Sequence, residues 1–510
     1  MNLLKSFISI SFFTLISKIF GFFRDIIIAR FFGAGIETDS FFIAFKFPNF
    51  LRNIFAEGAF SHSCIPILME YKTKKKNTEI KEFISYVSGL LIFILMIISL
   101  FGIIFASNII YILLPGFIKQ KDKFILTVDL FKIVFPYILL ISLATLYNLI
   151  LNTWNNFLVS SCTPLLFNLV IILSILILSQ YCSPSIFALA IGVIIGGLVQ
   201  ILYQIPFLKK INKFIIPKIS ISNSSIVKLV RSMKSGIIII CIGQINVIFN
   251  IFLSSFLSSG SISWIYYADR LIELPIGILA VALSTVLFPN FSKSFLTGNK
   301  KEFQKLLDWG LRICFLFAFP FGIIMSLLAK PLIFSFFQYK NFTNHDAIMT
   351  EKVLIFYSIG LLGFMINKIF IPVFYSIKEI KTLTIITILS CFFTQIMNLI
   401  FIKFFYHSGL ALSSSLNAYF YSFMLYFQLK KKNIFFPLPG WNKFILKLGI
   451  ALAIMITTLT ILLHFFPFVV ESSMIIRIMQ LIFFIFMGSF SYYLMLFFLG
   501  FKLNSIFLKN

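Results

Sequence analysis

Residues 85–114 read SYVSGLLIFILMIISLFGIIFASNIIYILL, a run of thirty residues without an aspartate, glutamate, lysine or arginine. A transmembrane α-helix needs about 20 consecutive apolar residues, so this run is long enough to cross a bilayer. Its apolar residues do not alternate with polar ones, which excludes a strand of a membrane barrel. Because backbone groups in lipid must pair within their own segment, the run predicts a membrane-spanning helix.

The same pattern recurs along the rest of the chain. The 510 residues are 60% hydrophobic and only 12% charged, whereas soluble domains are about one-quarter charged. We count fourteen apolar segments, centred near residues 18, 53, 97, 141, 168, 195, 243, 276, 318, 362, 392, 419, 454 and 487. The connections between them are too short for a soluble domain. The sequence therefore predicts an all-α polytopic membrane protein with about 14 transmembrane helices.

Basic residues between the apolar segments indicate the orientation of the chain, whose formal net charge is +26. The even-numbered connections carry lysines at Lys72–Lys81, Lys209–Lys234, Lys293–Lys305, Lys378 and Lys381, and Lys430–Lys432. The third and ninth connections combine lysines, among them Lys119–Lys123, with acidic residues. By the positive-inside rule, both termini are expected on the cytoplasmic side. Because the basic residues form short runs between apolar segments, membrane lipids are the expected surroundings and a nucleic-acid partner is not.

A faint internal repeat relates the two halves of the sequence. FFGAGIETDSFFIAFKFPNFLRN at 31–53 aligns with FLSSGSISWIYYADRLIELPIGI at 256–278, with an offset of 223 to 227 residues when small gaps are allowed. Six segments separate the copies, so both copies have the same orientation, as in transporters built from parallel repeats around a midplane substrate site. The predicted parts are an N-terminal lobe at 1–208, a cytoplasmic linker at 209–234, a C-terminal lobe at 235–430 and two accessory helices at 431–510. The two six-helix lobes are expected to surround a central cavity.

Three of the apolar segments each present a stripe of charged residues, although a charge at the bilayer centre costs about 2.5 to 3.5 kcal/mol on the insertion scale. Helical spacing places these residues on one stripe of each segment. The candidate substrate-binding residues are Ser17, Lys18 and Arg24 in the first segment, Asp39, Asn49, Arg52 and Glu57 in the second, and Asp269, Arg270 and Glu273 in the eighth. Pro48 and Pro275 occupy matching positions in the repeat and are predicted hinges, because proline removes a helix hydrogen bond.

Two interpretations of these stripes stay open. In the first, the charges form interhelical ion pairs that only fix packing, with Arg24 on Asp25, Arg52 on Glu57 and Arg270 on Glu273. In the second, they line a water-filled pathway, as intramembrane ionisable groups usually do. Cations exceed carboxylates on the first segment, and arginine suits bidentate phosphate contacts. An anionic substrate is therefore predicted, while no catalytic residue, metal site or cofactor is expected.

Four stretches carry a resemblance to a known family. They are SKIFGFFRDIIIARFFGAGIETDSFFIAFKFPNFLRNIFAEGAFSHSCIPILMEYK at 17–72, FPYILLISLATLYNLILNTWNNF at 135–157, SWIYYADRLIELPIGILAVALSTVLFPNFSKSF at 263–295 and FYSIKEIKTLT at 374–384. The sequence closely resembles the MurJ (MviN-type) lipid II flippases of the multidrug/oligosaccharidyl-lipid/polysaccharide exporter superfamily. The similarity runs essentially from end to end.

The resemblance implies transport of lipid II, an undecaprenyl pyrophosphate carrying a disaccharide pentapeptide, from the cytoplasmic to the periplasmic leaflet of the bacterial inner membrane for peptidoglycan synthesis. It implies that Lys18, Arg24, Arg52 and Arg270 line a cationic cavity, and that cell-wall synthesis proteins are candidate partners. Lys18 departs from the family, which typically has arginine there. Lysine keeps the charge but loses the planar fork of the guanidinium group.

Three other functions compete with this one. One is an exporter of a drug or another lipid-linked glycan from the same superfamily, which an acidic or aromatic cavity would favour. Another is a membrane enzyme acting on polyprenyl phosphates, which usually needs clustered carboxylates for Mg²⁺ or a histidine base. A scaffold without transport activity is the third, and only loss of the charged stripes would favour it.

Overall fold

The computed structural model describes residues 3–54, 59–218 and 224–501, and among these residues there are helices and short connections but no β-strand. The first helices are α1 (Leu3–Phe32), α2 (Ile36–Arg52), α3 (Ala59–Lys74), α4 (Asn77–Ile104), α5 (Ala106–Leu113), α6 (Lys121–Val134), α7 (Tyr137–Thr153), α8 (Phe157–Leu178) and α9 (Phe187–Lys210). The second series comprises α10 (Ser224–Ser254), α11 (Ser261–Pro275), α12 (Val281–Leu296), α13 (Lys300–Leu327), α14 (Ala329–Phe336), α15 (Asn344–Ile359), α16 (Leu361–Ser376) and α17 (Ile380–Lys431). Two helices follow, α18 (Trp441–Phe465) and α19 (Met474–Phe498). The predicted all-α fold is confirmed.

The order of helices repeats along the chain. Helices that start at residues 77, 106, 121 and 157 recur at 300, 329, 344 and 380, an offset of 223 residues in each case. The second helix of each series also has the same irregularity. After α2 the backbone makes a π-helical turn at residues 53–54, and after α11 it continues as a π-helix at Ile276–Ala280. These matching features support the internal repeat found in the sequence.

α17 is a hairpin of two helices. A straight helix of its 52 residues would be about 78 Å long, far more than the roughly 30 Å hydrocarbon core of a bilayer. The backbone leaves helical geometry at Tyr406, where φ is 50° and ψ is −129°. Phe393 and Phe420, on either side of this kink, stack with their ring centroids 4.3 Å apart. The two halves of α17 therefore run back along each other.

Among the described residues, nine helices are long and apolar enough to cross a membrane. A tenth span results if α15 and α16, which are bent by 48°, are counted together. This count takes α17 as one helix. The chain is thus a multi-pass membrane protein, and the figure of fourteen spans stays a prediction.

The chain divides into two compact units, Met1–Ser263 and Trp264–Asn510. In the first unit, α8 packs against α1 and α9, α2 packs against α6, and α10 packs against α3 and α4. In the second unit, α17 packs against α15 and α16, α13 packs against α15 and α16, and α18 packs against α19. The predicted lobe boundaries at 208, 234 and 430 stay a prediction.

Small residues allow α16 to approach α17 closely. A methyl group on Gly360, just before α16, would lie 2.6 Å from the Cα atom of Ser415. A methyl group on Gly363 would lie 2.9 Å from the carbonyl carbon of Ala418. Interfaces between membrane helices commonly use glycine and alanine in this way, because packing replaces the hydrophobic effect as the attraction between them.

We expect Gly360→Ala to destabilise the second unit by about 1 to 3 kcal/mol, because the added methyl group meets backbone atoms that cannot move independently. The apparent unfolding temperature of the purified chain in detergent measures this loss. Gly449→Ala in α18 is the matched control, since no atom lies within 4 Å of its added methyl group. The control is expected to be neutral or slightly stabilising. Equal unfolding temperatures for the two variants would contradict the close packing of α16 and α17.

Candidate functional site

Ser17 and Lys18 line a cavity in the first unit. Its volume is about 400 Å³, and α1, α7 and α8 supply its walls. The lining residues are Thr14, Ser17 and Lys18 from α1, Asn148 and Asn152 from α7, and Phe157, Ser160, Ser161 and Pro164 from α8. This set contains one cation, two carboxamides and four hydroxyl groups but no carboxylate. The cavity therefore suits an anion joined to an uncharged polar group.

Arg24 lies two helical turns from Ser17 on α1 and is held in place by two side chains. Its Nε and Nη2 atoms donate to Oδ1 of Asp25, at 3.0 and 2.7 Å. Its Nη1 atom donates to Oδ1 of Asn168 on α8, at 3.0 Å. The side chain of Arg24 is 11% exposed and that of Asp25 is 1% exposed. Arg24 thus pairs with Asp25, as in the packing interpretation, but both residues lie on α1, so the pair does not join two helices.

Asn168 connects Arg24 to the cavity. While its Oδ1 atom accepts from Arg24, its Nδ2 atom donates to the backbone carbonyl oxygen of Ser17, at 3.2 Å. One buried carboxamide thereby fixes both the guanidinium group and the turn of α1 that carries Ser17 and Lys18. Nothing in the sequence distinguishes Asn168, because a single asparagine in an apolar segment is a weak signal.

Asp39 was predicted from its helical stripe to bind substrate, but it lies in a buried ion pair. It is fully buried, and Nζ of Lys123 donates to its Oδ2 atom at 2.7 Å. The backbone N–H of Gly260 also donates to Oδ2, at 2.7 Å. Both the N–H and the hydroxyl group of Ser263 donate to Oδ1, at 2.9 and 2.7 Å. Asp39 thus neutralises a buried lysine and accepts from N–H groups at the start of α11, where negative charge is stabilising.

Lys123 was predicted to lie in the third connection, together with acidic residues. That prediction is wrong for Lys123. It lies in α6 and its side chain is 2% exposed. In addition to its ion pair with Asp39, its Nζ atom lies 4.3 Å from the ring centroid of Phe117. A lysine can be buried this deeply only because a carboxylate 84 residues away compensates its charge.

The other predicted residues of the second segment lie around the end of α2. Pro48 is buried inside α2, whereas Asn49 and Arg52 are half-buried. The π-helical turn at 53–54 changes the helical phase directly after Arg52, so a constant four-residue spacing does not describe this face. Glu57 lies outside the described residues.

The predicted residues of the eighth segment lie on α11 in the second unit. Nη1 of Arg270 donates to Oε2 of Glu273 at 2.6 Å, and its Nη2 donates to the hydroxyl oxygen of Tyr266 at 3.1 Å. The side chain of Arg270 is 33% exposed and that of Glu273 is 56% exposed. Asp269 is half-buried. Pro275 ends α11, directly before the π-helix.

Arg477 is a buried cation outside the three charged stripes. Its Nη1 atom donates to Oε1 of Gln338 at 2.6 Å and to the carbonyl oxygen of Phe334 at 3.2 Å. Its Nε atom donates to the carbonyl oxygen of Ser472 at 3.0 Å. These contacts attach α19 to the C-terminal end of α14, where a positive charge is favourable. Arg477 therefore has a structural role in the second unit.

In the first unit, the structure brings Ser17, Lys18 and Arg24 together with Asn168 beside one polar cavity. It assigns Asp39 to a buried ion pair. Among the described residues, no group of three histidine, cysteine or carboxylate side chains is placed to hold a metal ion.

Comparison with known proteins identifies a family and several relatives that match most of this chain. A family model described as "Lipid II flippase MurJ" matches residues 28–479. The chain is 45% identical over 504 residues to the "Probable lipid II flippase MurJ" of Buchnera aphidicola subsp. Schizaphis graminum, covering 99% of this chain and 98% of the relative. It is 37% identical over 461 residues to the "Lipid II flippase MurJ" of Burkholderia cenocepacia, covering 89% of each.

Solved structures show the same similarity. "Lipid II flippase MurJ, inward closed conformation" superposes with a TM-score of 0.79 at 28% identity, covering 96% of this chain and 100% of that one. An inward-facing multidrug resistance MATE family transporter of the MOP superfamily has a TM-score of 0.64 at 14% identity, covering 81% of this chain and 95% of that one. This second likeness concerns the fold alone.

Proposed function

The chain belongs to the MurJ lipid II flippase family, and from this premise we propose that it moves lipid II from the cytoplasmic to the periplasmic leaflet of the bacterial inner membrane. This assignment is supported by relatives that match almost the whole chain. The resemblance noted in the sequence is confirmed. Its relatives do not favour the drug exporter, the membrane enzyme or the scaffold.

The observation that carries the proposal is the cationic polar cavity of the first unit. Lys18 lines it, and Arg24 is attached to its wall through Asn168. Intramembrane cations of this kind are expensive and usually mark a substrate pathway. The pyrophosphate of lipid II carries the negative charge that such cations bind.

We propose that transport proceeds by alternating access, in which the cationic residues face each side of the membrane in turn. Arg52 and Arg270 supply further cations, and Asn49, Asp269 and Glu273 are polar neighbours; Glu57 is included from the sequence alone. Pro48 and the π-helical turn at 53–54 weaken the end of α2, and Pro275 and the π-helix at Ile276–Ala280 weaken the end of α11. Pro48 and Pro275 are therefore the proposed hinges. No covalent step and no cofactor is required.

The remaining parts of the proposal concern the lipid tail and the surroundings. Moving the polyprenyl chain through water would cost about 0.8 kcal/mol per CH₂ group, so the tail is proposed to stay in lipid beside α18 and α19. Both termini are proposed to be cytoplasmic from the distribution of lysines. Cell-wall synthesis proteins are proposed partners, because the product is used for peptidoglycan synthesis.

The proposal is tested by expressing the full chain in bacteria depleted of their own lipid II flippase. Wild-type chain is expected to restore growth and cell shape, and to raise the lipid II accessible in the periplasmic leaflet. A leaflet-specific assay of lipid II measures this directly. Absence of rescue at normal membrane expression would contradict the proposed function.

We expect Arg270→Ala to reduce lipid II transport by about tenfold or more while the chain stays folded. The Arg270–Glu273 ion pair joins residues three apart on α11, and such a pair contributes about 0.5 kcal/mol to helix stability, whereas a charged hydrogen bond to substrate contributes about 1.5 to 3 kcal/mol. Arg270→Lys is the control that retains the charge and is expected to keep part of the activity. Unchanged transport by Arg270→Ala would remove Arg270 from the substrate site.

A further inference from the structure

We propose that the cavity lined by Lys18, Asn148, Asn152, Ser160 and Ser161 is a sugar subsite, which binds the N-acetylated sugar next to the pyrophosphate. This inference rests on the proposed function, since it identifies which part of lipid II this cavity takes. Lys18 binds the phosphate end of the group, and the carboxamides and hydroxyl groups of α7 and α8 bind the sugar.

The residues that line the cavity are the first evidence for a sugar subsite. Six of the nine lining residues are on α7 and α8, and they comprise two carboxamides, two hydroxyl groups and two apolar side chains. The single cation is on α1. Carboxamides and hydroxyl groups both donate and accept hydrogen bonds, which matches the hydroxyl and acetamido groups of a sugar. A peptide carboxylate or a second phosphate would need further cations, which this lining lacks. The volume of about 400 Å³ lies in the usual range for small-ligand sites.

The polar wall is held by its own hydrogen bonds. The hydroxyl group of Ser160 donates to Oδ1 of Asn152 at 2.5 Å, which orients the Nδ2 group of Asn152 as a donor. Nδ2 of Asn148 donates to Oγ1 of Thr163 at 3.3 Å. The buried Oδ1 atom of Asn148 accepts no hydrogen bond from the described part of the chain. The wall thus combines an oriented donor with an unused acceptor, and buried acceptors without a partner are costly.

The positions of Lys18 and Arg24 indicate which side of the cavity binds the pyrophosphate and which side binds the sugar. Ser17 lines the cavity, and its carbonyl oxygen is bonded by Asn168, the same residue that holds Arg24. The cationic end of the cavity is therefore on α1, and the uncharged polar wall is on α7 and α8. In lipid II the pyrophosphate is bonded directly to the sugar, so the two halves of the cavity meet adjacent parts of one molecule.

The test measures binding of two probes to the purified full chain in lipid nanodiscs. One probe is lipid II, and the other is undecaprenyl pyrophosphate, which has the same pyrophosphate and tail but no sugar. Asn152→Leu and Ser161→Phe are expected to weaken lipid II binding by about tenfold. Both variants are expected to bind undecaprenyl pyrophosphate within about twofold of wild type, because Lys18 and Arg24 are intact.

Leu173→Phe is the matched control on α8, since Leu173 is 52% exposed and does not line the cavity. It is expected to bind both probes like wild type, and unfolding temperatures show that all variants are folded. Lipid II binding that is unchanged in both cavity variants would overturn the sugar subsite. Wild-type binding of undecaprenyl pyrophosphate as tight as that of lipid II would also overturn it while leaving the flippase function intact. A wild-type chain that binds neither probe would overturn both.

Discussion

A variant that combines Arg24→Ala with Asp25→Asn is expected to fold normally and to transport no lipid II above background. Arg24→Ala alone removes the guanidinium group that bonds to the carboxylate of Asp25, which is 1% exposed. Removing one member of a buried ion pair lowers folding stability by about 3 to 5 kcal/mol. The single variant therefore cannot distinguish misfolding from loss of function. The second substitution removes the carboxylate charge and restores most of the stability. Transport stays absent because the guanidinium group of Arg24 is no longer present to bind the pyrophosphate.

The experiment compares membrane expression, unfolding temperature and leaflet-specific lipid II transport for four chains. These are wild type, Arg24→Ala, Asp25→Asn and the double variant. Arg24→Lys is the conservative control and is expected to retain part of the transport, since it keeps the charge without the planar fork. Recovery of transport in the double variant would show that Arg24 serves only to neutralise Asp25. The packing interpretation of the first charged stripe would then be correct.

Asp39→Asn is expected to destabilise the first unit by about 3 to 5 kcal/mol, because it leaves the ammonium group of Lys123 buried without a compensating charge. Lys123→Met is expected to cost less, about 1 to 3 kcal/mol. In that variant the Asp39 carboxylate keeps three donors, namely the N–H of Gly260 and the N–H and hydroxyl groups of Ser263. Unfolding of the purified chain in detergent measures both values.

The Asp39→Asn, Lys123→Met double variant completes a mutant cycle. Its loss of stability is expected to be smaller than that of Asp39→Asn, because the unpaired lysine is gone. A double variant as unstable as the sum of the single variants would show that the two side chains do not interact. Equal losses for the two single variants would contradict the proposed contribution of the N–H groups at the start of α11.

Much of this protein could be predicted without coordinates. Helices follow from the length and hydropathy of local segments, and in lipid the backbone has few alternatives. Residues 85–113 of the first run lie in α4 and α5, with a short break at Phe105. The repeat was visible at 31–53 and 256–278, and helix starts with a constant offset support it. Charges on an apolar helix are rare enough to be informative, so the sequence also indicated Lys18 and Arg24, together with Ser17 on the same stripe.

Only the tertiary structure decided what these charges contact. Asp39 pairs with Lys123, which is 84 residues away, and Arg24 contacts Asn168, which is 144 residues away. Helical spacing places Asp39 and Arg52 on stripes, but it cannot specify which helix covers each stripe. The π-helical turns after α2 and α11 also change the phase on which such stripes depend. Local periodicity thus determines the helices and the side of each helix that is polar, whereas the partner of a buried charge depends on long-range packing, which local spacing does not encode.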